Sequence, residues 1–193
     1  MHRYSVDRST EIAIGQCTNW LLVLTIGVES AMEKDDKLSD LRALARLGRT
    51  AHQIELGQSL LVGRDFYGNP VEVDYAEARH WLELAHERGA YTATFLLGTI
   101  HEEGLGVAVD LPAAVDLYGQ AAKFGSYYAK LRLARIYANE RSAMHDAELA
   151  VAWYGKVLEE TGVDDDEGHA EARDYLSGIT HGKSSLGDHN VDK

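Results

Sequence analysis

Between residues 93 and 122 the hydrophobic positions keep the spacing of amphipathic helices. Ala93, Leu96, Leu97 and Ile100 share one face of a 3.6-residue period. Ala114, Leu117, Tyr118, Ala121 and Ala122 follow at i, i+3, i+4, i+7 and i+8. Gly104-Leu105-Gly106 separates the two runs, because glycine adopts the positive φ of a C-cap and tight turn without steric cost. Asp110 is placed to cap the second helix, with Pro112 at an early helical position where its missing N–H is not needed. Gly125 stops it. The pattern predicts a helical hairpin.

The hairpin recurs. Asp74, Asp110 and Asp146 stand 36 residues apart, as do Ala78, Ala114 and Ala150. Trp81, Leu117 and Trp153 keep the same step, and so do Leu82, Tyr118 and Tyr154. Such a period belongs to arrays in which each unit buries its apolar face by stacking on its neighbours. Leu56-Gly57 precedes Leu97-Gly98 by 41 residues, so the first clear unit carries five extra residues, all before Asp74. Small residues at 98, 114, 121 and 122 let paired helices approach closely, with Tyr118 beside them. A degenerate unit is expected at about 16–48, with Glu33 in the aspartate column and Lys37 in the alanine column.

Residues 93–125 resemble the Sel-one-like repeat, a branch of the tetratricopeptide superfamily. The resemblance rests on Ala93, Leu97-Gly98, Gly104-Leu105-Gly106-Val107, Asp110, Ala114, Leu117-Tyr118, Ala121-Ala122 and Gly125, with the signature pair at Trp153-Tyr154. It covers residues 50–162. His101 replaces the usual tyrosine, His86 the second alanine, and the third unit reads Glu140-Arg141-Ser142 where a glycine turn is usual. The resemblance implies an all-α, right-handed helical-repeat solenoid of antiparallel helix pairs, whose concave surface holds other proteins. It implies no reaction and no cofactor. The expected organisation is an N-terminal capping region over 1–48 and three repeats over 49–162. An acidic loop with a capping helix over 163–180 and a disordered tail over 181–193 complete it.

Composition narrows the partner. The formal net charge is −12, from 31 acids against 19 bases. Nucleic acid is a poor partner for such a chain, since phosphate binding needs concentrated Lys and Arg. Acid is densest at 159–174, where it is read either as a solvated cap or as an electrostatic lure for a basic protein. Cys17 is the sole cysteine, which excludes an intrachain disulfide and favours a reducing compartment. The apolar run Trp20 to Val28 is too short to span a bilayer. Arg3 and Arg8 precede it as in a secretory leader, but Asp7 and Glu11 interrupt it and no Ala-x-Ala site follows. Cytoplasm is therefore expected, with periplasm as the alternative; the same run is a candidate homodimer end.

Candidate chemistry is thin. His101, Glu102 and Glu103 are adjacent on a helix and cannot all aim at one ion. His80 and His86 face differently. Gly178 to Ser184 is one residue short of a phosphate loop and lacks its preceding strand. Ser126 and Lys130 miss the Ser-x-x-Lys spacing. No metal ligand or catalytic residue is nominated, and a hydrolase is the remote alternative to a binding protein.

The resemblance places the groove on the first helix of each pair. Its positions are Ile54, Gln58, Leu61 and Val62 in the first clear unit, then Phe95, Thr99, Glu102 and Glu103. The third unit supplies Tyr128, Leu131, Arg135 and Asn139. Ile54, Leu61 and Leu131 are equally well read as packing between units. The five-residue insertion puts Phe66 and Tyr67 in a long turn, tucked under it or offered to a partner; the partner is favoured, since insertions in repeat arrays often lie on the binding face. The expected function is an adaptor, or an acidic inhibitor of a basic partner. A structural assembly or envelope scaffold is the alternative.

Overall fold

In the computed structural model, residues 37–160 and 166–187 are described, the latter with side chains over 167–179. The described residues are helical and contain no strand. Helix α1 is described over 37–46, followed by α2 (Thr50–Val62), α3 (Tyr75–His86), α4 (Tyr91–Glu103), α5 (Leu111–Lys123), α6 (Tyr127–Ala138), α7 (Ala147–Leu158) and α8 (Asp166–Gly187). The intimate pairs are α2 with α3, α4 with α5 and α6 with α7, and each pair leans on the next through α3–α4, α5–α6 and α7–α8. This is the expected right-handed solenoid of antiparallel hairpins. The run Trp20 to Val28, and with it the expected leader and homodimer end, lies outside the described residues.

The repeated residues form the repeated joints. Asp74, Asp110 and Asp146 each cap a second helix, accepting from the backbone N–H of Glu77 at 2.8 Å, Ala113 at 3.0 Å and both Glu148 and Leu149 at 3.0 Å. Replacing any one with alanine is expected to cost about 1 kcal/mol. Urea unfolding of the three single variants checks this; a cost in one unit and none in the others would break the equivalence of the columns. Gly63 and Gly104 end α2 and α4 in left-handed conformation, at φ 74 and 71. The third unit has Asn139 there instead, in extended conformation, and its side chain accepts from the Arg141 N–H at 3.1 Å.

Close approach of the paired helices depends on two glycines. A Cβ on Gly57 would lie 2.7 Å from Leu82, and one on Gly98 would lie 2.6 Å from the Tyr118 ring. Tyr118 is fully buried among Ala114, Ala121, Ala129, Leu133 and Ile136. The next cluster joins Tyr127, Leu131, Ala134, Tyr154 and Val157 to Ala172 of α8, which closes that end of the core. α8 runs to Gly187, past the boundary expected at 180. The expected tail thus begins as helix over 181–187: extending a formed helix fixes one residue per bond gained, whereas starting one fixes several. Residues 188–193 lie outside the described residues.

Candidate protein-interaction surface

The first helices of the second and third hairpins bring two of the expected groove residues, Phe95 and Tyr128, side by side. Phe95 of α4 lies with its ring centroid 5.5 Å from Tyr118 and 6.4 Å from Tyr128 of α6. Tyr128 is 56% exposed and meets Tyr127 edge-on at 5.3 Å. Aromatic surface therefore continues from one repeat to the next. Thr99 and Glu102 follow Phe95 at i+4 and i+7, and Glu103 at i+8, the same helical side.

The acids of this face are compensated. Tyr118 donates its hydroxyl to Glu102 at 2.6 Å, and its oxygen lies 3.2 Å from the Thr99 hydroxyl. Arg132 of α6 reaches both Glu102 and Glu103, each at 3.5 Å. One repeat along, Tyr154 donates to Glu171 of α8 at 2.6 Å, and Arg135 forks onto the same carboxylate, at 2.6 Å for its shortest contact. Burial, reinforced by the adjoining carboxylate, raises both phenols far above the ordinary tyrosine range, so they are fixed donors at physiological pH. The result is a repeated tyrosine–carboxylate–arginine arrangement with little free charge.

A second surface lies at the first clear unit. Gln58 and Val62 of α2 line a shallow groove of about 300 Å³ with Glu55, Arg64 and Phe66. Phe66 and Tyr67 are 82% and 78% exposed, in edge-to-face contact at 5.5 Å. They are held out by the turn beneath them. Asp65 accepts from the backbone N–H of Tyr67 at 2.9 Å and of Asn69 at 2.7 Å, and from the Asn69 side chain at 2.7 Å. Those bonds, the Asn69 side chain first, hold the Asp65 carboxyl below its ordinary range. Gly68 supplies the positive φ, and an isolated bridge joins Arg64 to Pro70. Neither ring is tucked under the loop.

Four of the expected groove residues serve the fold. Ile54 is half-buried against the cluster of Leu82, Ala93 and Leu97. Leu61 is half-buried and packs against both neighbouring clusters, Leu131 is buried, and Asn139 ends α6. Arg132 and Glu171 belong to the surface without having been expected there. Arg132 stands four residues after Tyr128, within reach of helical periodicity; Glu171 lies outside the repeat register and carries no such signal.

The Sel1 repeat family model matches residues 42–89, 92–126 and 128–156. No curated protein matches the chain. Among solved structures, a protective antigen present in uropathogenic Escherichia coli strains, displaying an SLR fold, is 30% identical over 63% of this chain with a TM-score of 0.56. This chain spans 25% of that protein's length. A Sel1 repeat protein from Oxalobacter formigenes is 29% identical, with 72% of this chain and 98% of that one covered and a TM-score of 0.55. A sel1 repeat protein from Klebsiella pneumoniae subsp. pneumoniae shares 21% identity over 78% of this chain and 74% of its own, at a TM-score of 0.50, and supports the fold alone.

Proposed function

We propose, since the chain belongs to the Sel1 repeat family, that it is a non-catalytic adaptor whose α4–α6 face grips a segment of another protein. Proteins of this repeat generally mediate protein–protein interaction, and the fold is typically a non-catalytic scaffold. The observation that carries the reading is the aromatic row Phe95–Tyr128, partly open to solvent and flanked by donors and acceptors already held in place. Exposed aromatics beside ordered polar groups are the composition of interface anchors. Among the described residues no helix is long and apolar enough to cross a membrane.

The acidic-inhibitor version needs free carboxylates to draw in a basic enzyme. Glu102, Glu103 and Glu171 are paired, so the groove offers that version little support. The assembly-scaffold reading uses the same grip and differs in the partner. Peptides selected from a displayed random library against the full chain provide the test. Amide shifts on binding are expected along α4 and α6; shifts confined to α3, α5 and α7 would sink the reading.

A further inference from the structure

The aromatic loop divides two clefts, and the charges around it are unevenly paired. Tyr67 walls a cleft of about 650 Å³ between α1, α2 and the loop, while Phe66 walls the smaller one. Glu55 and Asp65 border both. The larger cleft also presents Asp40 and Glu72, against Lys37 and Arg42. Arg42 is committed elsewhere: its Nε and Nη2 bond both oxygens of Glu77, at 3.0 and 2.8 Å. Among the described residues the side chains of Asp40, Glu55 and Glu72 make no hydrogen bond or ion pair. His52 lines the same cleft with a buried Nδ1 that has no hydrogen-bond partner there.

Unpaired carboxylates beside an exposed tyrosine ring are complementary to a cation. A guanidinium or ammonium satisfies the acids as ion pairs and the ring face as a cation–π partner. The smaller cleft, with Val62 and Phe66 both exposed, suits an apolar neighbour on the same segment. The backbone that carries both rings is already held by the Asp65 turn, so docking need not order the loop itself.

We propose that this end of the array docks a partner segment in which an arginine or lysine stands beside an apolar residue. The basic side chain enters the cleft of Glu55 and Tyr67, and the apolar one lies against Phe66 and Val62. The proposal rests on the reading of the chain as a protein-binding module, and adds a second contact surface outside the α4–α6 groove.

The test uses the full chain and two short capped peptides, Ala-Arg-Leu-Ala and the same sequence with citrulline, which keeps the shape and removes the charge. Amide shifts are expected at Glu55 and residues 65–68, with the citrulline peptide about fivefold weaker or worse. Glu55→Gln should weaken the arginine peptide by about fivefold and leave the citrulline one unchanged. Equal affinity for the two peptides, or no shift at 65–68 with either, overturns the proposal. Shifts at Phe95 and Tyr128 in place of the loop also overturn it while leaving the adaptor reading intact.

Discussion

Tyr118→Ala is expected to destabilise the chain by about 4 kcal/mol, through the lost burial of a ring and the cavity left behind. The ring is fully buried, packs over Gly98 and forms part of the core joining the second and third hairpins. Tyr118→Phe keeps the ring and loses one charge-assisted hydrogen bond, about 1.5 kcal/mol, because Glu102 still has Arg132. Gly98→Ala approaches the same contact from the other side. Its Cβ would sit 2.6 Å from the ring, and an overpacking cost near 3 kcal/mol outweighs the ~1 kcal/mol of helix propensity that alanine regains. Gly119 lies in the interior of α5, where an added methyl would meet nothing within 4 Å, so Gly119→Ala should stabilise by about 0.5–1 kcal/mol. Urea unfolding followed by circular dichroism reads all four. The same substitution giving the same sign at 98 and 119 would show that the ring contact does not limit helix approach.

That contrast marks how far the sequence could be read. Gly98 and Tyr118 were visible as a small residue and a large one on the two helices of one hairpin, where small residues were expected to let the helices approach beside the ring. The caps Asp74, Asp110 and Asp146 and the breaks at Gly104 and Gly106 were legible because each acts within a few residues of chain. Contacts between helices distant in sequence were not. Arg132 crosses from α6 to α4 and Glu171 from α8 to α6, and both depend on interhelical geometry that no period of one helix encodes. Leu61 and Val62 show the limit within one helix. A 100° step turns the first into the core and leaves the second 62% exposed. The insertion was legible as a turn with two aromatics. Their outward placement follows from Asp65 gathering three donors, a local bond pattern that spacing does not specify.

Phe95→Ala together with Tyr128→Ala is expected to weaken a groove-bound peptide by about a hundredfold, near 3 kcal/mol. The two rings are neighbours, so the pair is treated as one anchor and the single effects should not sum to the double. Phe124→Ala is the control: that ring is 69% exposed at the end of α5, has no place in the row, and its loss should leave affinity unchanged. Salt separates the anchor from an electrostatic grip. With Glu102, Glu103 and Glu171 already paired to Arg132 and Arg135, affinity for an uncharged peptide should change less than about threefold between roughly 0.05 and 0.5 M salt. Arg132→Ala removes the compensation at Glu102 and Glu103, and should introduce a salt response toward a basic peptide that the unaltered groove lacks. Isothermal titration across the salt series gives both numbers. A steep salt dependence in the unaltered chain, with Phe95 and Tyr128 dispensable, would mean that charge and not the aromatic row does the gripping.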